Sequence, residues 1–158
     1  MIMKKTIIVL AILLGFTAVA AAQPRAIGLR GGILDGGLCQ ISYQHYAKAE
    51  NFVELDLGAF YSESNALFDL SALHNWMIVQ PEWTEEGEWG FYLGAGGTVG
   101  TFLNDDNNSK VRFGVVGQAG LEYTFKFPLQ LSVDVRPYLN FCSEPFMLSP
   151  CFSVRYRF

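Results

Sequence analysis

Residues that could do acid–base or nucleophilic chemistry are few in this chain and lie far apart. The sequence holds two histidines, His45 and His74. A histidine base must lie within hydrogen-bond reach of its nucleophile. Neither histidine has a serine and a carboxylate placed beside it in a spacing that builds such a pair. A packing or interface role fits both, and the pattern predicts no catalytic residues.

Three cysteines offer redox chemistry. Cys142 and Cys151 flank one predicted hairpin and both fall on the polar face of their strands. In an oxidising compartment they could form a cross-strand disulfide. Cys39 leaves an odd thiol, so the pairing stays open. No histidine lies close to the cysteines, which disfavours a metal site.

Two further stretches resemble ligand-binding loops only superficially. The oxygen-rich run at 104–109, NDDNNS, lacks the glycine and distal glutamate of a calcium loop and reads as a solvated loop. The glycine run at 93–100, LGAGGTVG, lacks the strand–turn–helix context of a phosphate loop. Glycine within a strand instead permits sharp curvature or close packing by a large neighbour. The sequence therefore predicts no metal and no cofactor.

The N-terminal stretch predicts export. Lys4 and Lys5 precede an apolar run at 6–16 and a small-residue site at 20–22, so residues 1–22 read as a signal peptide. The alternative is a membrane anchor, but the run is short for a span. The remaining 136 residues, 23–158, form one predicted domain with 9 basic and 15 acidic side chains, a net charge of −6. That balance gives no basic stripe for nucleic-acid binding.

After the leader, apolar and polar residues alternate with a period of two, which predicts strands. Turn-like clusters divide the chain into eight segments. These are Arg25–Leu34, Gly37–Ala47, Asn51–Ser62, Ala66–Gln80, Glu88–Leu103, Lys110–Lys126, Leu129–Cys142 and Phe146–Phe158. Eight segments of this length fit an eight-stranded antiparallel up-and-down barrel. The fourth segment alternates poorly.

Alternation alone is compatible with two classes of protein, a soluble periplasmic β-domain and a barrel in an outer membrane. The polar face favours the membrane barrel because its charges balance, as an enclosed lumen requires. The predicted lumen charge network comprises Arg30, Glu54, Asp56, Arg112, Glu122, Asp134, Arg136, Arg155 and Arg157, with Asp69 and Lys126 on the same face. We therefore expect a charged, filled interior.

Aromatic residues gather near the predicted segment ends, as in the interfacial girdles of membrane barrels. One predicted rim holds Phe52, Trp83, Trp89, Phe91, Phe125, Phe127, Tyr156 and Phe158. The other holds Tyr61, Phe68, Phe102, Phe113, Phe141, Phe146 and Phe152.

The last segment, CFSVRYRF, sets Arg155 and Arg157 on one face and Tyr156 and Phe158 on the other. We expect the arginines to meet lumen acids such as Asp134 and Glu122. An aromatic strand that ends in VRYRF resembles the C-terminal signal of bacterial outer-membrane proteins. With the leader and eight segments, the chain is similar to the small barrels typified by outer-membrane proteins A and X. The resemblance implies location in the bacterial outer membrane, and recognition of Tyr156 and Phe158 by the barrel-assembly machinery.

These observations favour a non-enzymatic structural or interaction barrel, such as an accessory subunit of a larger outer-membrane protein complex, with outer-membrane lipid around it. The alternatives are a narrow channel for ions or small solutes, a lipid-modifying barrel enzyme, and a soluble periplasmic barrel that binds an apolar ligand.

Overall fold

The computed structural model describes residues 25–32, 37–48, 50–62, 65–103, 110–141 and 146–158. Eight β-strands run in chain order. They are β1 (Arg25–Gly32), β2 (Leu38–Lys48), β3 (Asn51–Ser62), β4 (Asn65–Val79), β5 (Gly87–Leu103), β6 (Lys110–Phe125), β7 (Leu129–Asn140) and β8 (Phe146–Arg157). Each predicted segment corresponds to one strand, and the bounds differ by two residues or fewer.

The strands form a closed barrel in which each pairs antiparallel with its sequence neighbour. Pairing of β1 with β8, from Ala26 opposite Arg157 to Gly32 opposite Cys151, closes the sheet and leaves no free edge. In the described part of the chain, no helix is long and apolar enough to cross a membrane. The prediction of an eight-stranded up-and-down barrel is confirmed.

Side-chain exposure shows which face of the barrel is apolar. Leu29 is 62% exposed, whereas its neighbour Arg30 is 1% exposed. The same alternation holds along β7, where Val133 faces outward and Asp134 and Arg136 are buried. Apolar residues outside and charged residues inside are the distribution of a transmembrane barrel. A soluble barrel would show the reverse distribution.

Two rims define the ends of the barrel. The terminal rim holds the start of β1 and the end of β8, where the Arg25 amide donates to the Phe158 carbonyl at 2.9 Å. The opposite rim holds the ends of the odd-numbered strands. Outer-membrane barrels have short turns on the periplasmic side and longer loops on the outer side, which predicts that the terminal rim lies at the periplasm.

Aromatic side chains line both rims. At the terminal rim Trp83 lies 5.5 Å from Trp89 and 5.6 Å from Phe91, centroid to centroid. At the opposite rim Phe113 and Phe141 lie 5.6 Å apart. Phe52 was predicted to join the terminal girdle, and that prediction is wrong. It shares strand parity with Glu54, so its ring is fully buried in the lumen.

Candidate functional site: the filled lumen

Six buried ionisable side chains occupy the middle of the lumen, and we call them the central charge cluster. They are Arg30, Glu54, Asp56, Asp134, Arg136 and Arg155. Three guanidinium groups thus face three carboxylates, so the cluster is formally neutral. Such balance matters because an unpaired buried charge costs several kcal/mol.

Glu54 is the carboxylate on which the cluster converges. Its Oε1 accepts a hydrogen bond from Arg136, lies 3.1 Å from Nη2 of Arg155 and lies 3.5 Å from Nη1 of Arg30. Gln44 donates to the other oxygen at 2.8 Å. These partners come from strands β1, β2, β7 and β8, so one side chain ties distant parts of the barrel together.

The remaining acids of the cluster complete the pairing. Arg30 makes a bidentate contact with Asp134, 2.5 Å at each oxygen. Arg136 lies 2.7 Å from Asp56. Arg155 also donates to Ser42 at 3.0 Å and to Ser132 at 2.7 Å. Small hydroxyl residues therefore leave room for the long arginines, which an eight-stranded lumen needs.

An apolar layer fills part of the lumen between the cluster and the opposite rim. Leu73, Val116 and Tyr138 are buried there, with Phe60 and Met147 packed against them. The Tyr138 and Phe60 rings pack edge-on, with their centroids 6.2 Å apart.

A separate ion pair lies beside this layer. Arg112 bonds Asp69 at 2.9 Å and its guanidinium lies 5.4 Å from the Phe60 ring centroid. Asp69 also accepts from Ser71 and Thr98 at 2.7 and 2.6 Å. The opposite end of the lumen is therefore filled by both apolar and paired charged groups.

A second apolar layer fills part of the lumen toward the terminal rim. Tyr46, Phe52 and Tyr92 are buried together, and Met77 packs against them. Phe52 lies 5.1 Å from the Tyr46 ring and 5.3 Å from the Tyr92 ring.

Glu122 belongs to this second layer and not to the central cluster. Its carboxylate accepts from Tyr46 at 2.9 Å and from Gln130 at 2.8 Å. The acid is thus held by neutral donors, although the sequence predicts it as a partner for arginine.

Below the second layer a cavity of about 650 Å³ opens at the terminal rim, and we call it the vestibule. Its lining includes Tyr46, Lys48, Glu82, Glu88, Trp89 and Arg157. Charges of both signs therefore meet water at this mouth, while Tyr46 and Met77 separate it from the lumen.

Three sequence expectations about the lumen are corrected. Arg157 lies at the vestibule, not in the lumen interior, with Nη1 3.7 Å from Glu88 and its guanidinium 5.2 Å from the Tyr46 ring centroid. Lys126 is exposed in the turn after β6, because the strand ends at Phe125. Arg155 meets Glu54 and not Asp134 or Glu122.

Sequence reasoning did not identify the apolar layers as lumen fillers, although parity carried the signal. Tyr92 shares strand parity with Gly90 and Gly94, and Tyr138 shares strand parity with Arg136. The Tyr92 ring lies over Gly120, where a Cβ would overlap the tyrosine side chain. The glycine makes space for a large neighbour, as the pattern predicts.

Several predicted features lie outside the described residues. They are the signal peptide at 1–22, the oxygen-rich loop at 104–109 and Cys142. Cys39 is exposed on the outer wall and Cys151 is buried, and both are free cysteines. Among the described residues no group of three or more potential ligands could hold a metal ion.

The fold, the apolar wall and the charged lumen together define an eight-stranded outer-membrane β-barrel. No family model matches the sequence, and no curated protein matches it. Solved structures do resemble it. The N-terminal β-barrel domain of Pseudomonas aeruginosa OprF aligns with a TM-score of 0.70 at 15% identity, over 85% of this chain and 97% of that one. Neisserial surface protein A aligns with a TM-score of 0.55 at 12% identity, over 85% and 93%. These likenesses show the fold.

Proposed function

We propose that the protein is a non-enzymatic integral outer-membrane barrel whose lumen is closed to solutes, and that it acts as a structural or interaction component. The observation that carries this proposal is that side chains fill the lumen at three successive levels. The central charge cluster lies between two apolar layers, centred on Tyr92 and Tyr138. A solute would have to displace all three.

The placement of the histidines supports a non-enzymatic role. His45 and His74 face outward, with Val53 between them in the register, whereas Glu54 and Asp134 face the lumen. The wall therefore separates each imidazole from the carboxylates that would orient a base.

Planar-bilayer conductance tests closure. The parent is expected to be silent. The combined variant Tyr92→Ala, Tyr138→Ala and Arg136→Ala is expected to conduct, because it removes one large side chain from each apolar layer and one from the central charge cluster. Phe152→Ala, on the outer wall, is the control and should stay silent. Heat-modifiable gel mobility reports whether each variant is folded. Conductance by the parent would favour the narrow channel and overturn the closed lumen.

The interaction role is best supported by the vestibule. It is a concave surface at the terminal rim, and its charged lining is open to water. A barrel with a closed lumen offers such a mouth to a periplasmic segment of a partner in a larger outer-membrane complex.

Site-specific photocrosslinking tests this role. A crosslinking residue in place of Glu82, which lines the vestibule, should capture a defined partner after gentle extraction. The same residue in place of exposed Phe141, at the opposite rim, is the control. Equal products at both positions, or none at Glu82, would contradict the interaction role.

Unchanged lipid A in an overexpressing strain is expected for a non-enzyme.

A further inference from the structure

The outer wall carries one row of nitrogen-bearing side chains that its transmembrane role does not explain. Arg25, His45 and His74 face outward on β1, β2 and β4 and can carry positive charge, and no outward-facing residue within these three strands carries a carboxylate. The surrounding wall is otherwise dominated by leucine, valine, isoleucine and aromatic residues. Ionisable side chains on a lipid-facing wall carry a free-energy cost, so their presence indicates a function.

Register places these three side chains in line. Arg25 pairs with His45 across β1 and β2. His45 pairs with Val53, and Val53 pairs with His74 across β3 and β4. Since neighbouring strands lie about 4.8 Å apart, the two histidine Cα atoms are roughly 10 Å apart. Val53 between them is short, so a headgroup can lie over it and meet both imidazoles.

Neighbouring aromatic residues brace both imidazoles. The Tyr43 hydroxyl lies 3.4 Å from Nδ1 of His45. When that hydroxyl donates to Nδ1, the neutral ring carries its proton on Nε2, which is then free to donate to a headgroup oxygen. The His74 ring packs edge-on against Trp76 at 4.7 Å.

The height of the row matches the membrane surface. Asn51, which follows the turn at Glu50, begins β3 and pairs with Trp76. Val53 is therefore two residues, about 7 Å, inside the strand end. Trp76 is 45% exposed, as expected of an interfacial aromatic residue. Exposed Lys48 ends β2 and exposed Glu50 lies in the turn that follows, so charges of both signs flank the row.

We propose that Arg25, His45 and His74 form a binding site for the headgroup phosphate of an anionic glycerophospholipid in the periplasmic leaflet. Guanidinium and imidazole nitrogens donate to phosphate oxygens, and phosphate is the anion that a bilayer presents at this height. The acyl chains would lie along the apolar wall above. This site lies on the outer wall and does not depend on whether the lumen conducts.

Native mass spectrometry of the detergent-purified barrel tests the proposal. The probes are phosphatidylglycerol and phosphatidylcholine with identical acyl chains. The parent should retain phosphatidylglycerol preferentially. His45→Leu with His74→Leu should weaken that binding roughly tenfold, because two of three donor groups are lost while the wall stays apolar.

Two controls sharpen the result. Leu131→Ala with Val154→Ala alters an outward-facing pair at a similar distance from the terminal rim and should leave the preference intact. Inorganic phosphate, added as competitor, should not displace the lipid, which separates a lipid site from a site for free anion. Equal retention of both lipids by the parent, an unchanged preference in the histidine variant, or displacement by inorganic phosphate would overturn the proposal.

Discussion

Glu54 and Arg136 form an ion pair across the full width of the barrel. Glu54 lies on β3 and Arg136 on β7, four strands apart in a ring of eight, and both side chains are fully buried. The contact therefore joins diametrically opposite walls. Because Arg30 and Arg155 also reach Glu54, this carboxylate acts as the common anchor of the lumen.

The first prediction follows from that anchoring. Glu54→Gln keeps the size of the side chain but leaves buried guanidinium groups without their shared counter-charge. We expect a loss of about 3–5 kcal/mol in the free energy of unfolding. Urea titration in lipid vesicles, followed by tryptophan fluorescence, measures it. Glu82→Gln, an exposed change of the same chemistry, should have little effect. A stable Glu54→Gln barrel would show that the cluster is redundant.

The second prediction compares two arginines on the same strand face. Arg155 is buried against Glu54, Ser42 and Ser132. Arg157 lies at the vestibule beside Glu88, whose side chain is 78% exposed. Arg155→Gln should cost several kcal/mol in the free energy of unfolding. Arg157→Gln should cost about 1 kcal/mol or less, because water and salt screen an exposed pair.

The same unfolding titration measures both variants, and repeating it at high salt adds a check. Raised ionic strength should reduce the difference between Arg157→Gln and the parent, while the Arg155→Gln deficit should persist. Equal costs at the two positions would mean that depth in the lumen does not decide the energetics.

Much of the barrel was predictable because one local rule governs it. Period-two alternation decides both that a segment is a strand and which side chains face the lumen. Even the poorly alternating fourth segment forms β4, where the neighbouring strands supply ladder partners on both sides. Strand parity alone was enough to predict that Arg30 and Asp134 face the lumen.

Pairing within the lumen was not predictable in the same way. Which arginine meets Glu54 depends on the stagger of strands across the barrel, and no local pattern encodes that stagger. Arg157 was misplaced because strand parity does not report how far the lumen extends. The position of Phe52 was predicted wrongly because an aromatic residue near a strand end can either face the membrane interface or fill the lumen.

The third prediction concerns the cysteines, where the register changes the sequence expectation. Cys151 pairs with Asp134, five residues inside the last β7–β8 pair of Leu139 with Phe146. Cys151 is a buried free cysteine, and its Sγ lies 3.3 Å from Oγ of Ser149 on the same strand. We therefore expect Cys151 to remain a thiol rather than to pair with Cys142. Alkylation of the unfolded protein with and without reductant, followed by mass spectrometry, checks this, and a Cys142–Cys151 peptide in the unreduced sample would refute it.

The fourth prediction uses two adjacent glycines that face opposite sides of β5. A Cβ on Gly96 would overlap the carbonyl oxygen of Ala72 on β4, which is backbone and cannot rotate away. A Cβ on Gly97 would face the outer wall, with its nearest neighbour, the Gly114 carbonyl oxygen, at 3.8 Å. Gly96→Ala should therefore destabilise the barrel by about 1–3 kcal/mol through overpacking. Gly97→Ala should be neutral or stabilising by up to about 1 kcal/mol, because alanine restricts the unfolded chain.

Heat-modifiable mobility and urea titration of both alanine variants measure this contrast, since the pair is matched in composition, strand and depth. A Gly96→Ala barrel as stable as the parent would mean that β4 and β5 separate more easily than their pairing indicates. A destabilised Gly97→Ala barrel would instead indicate that the outer wall at Gly97 is packed against something other than fluid lipid.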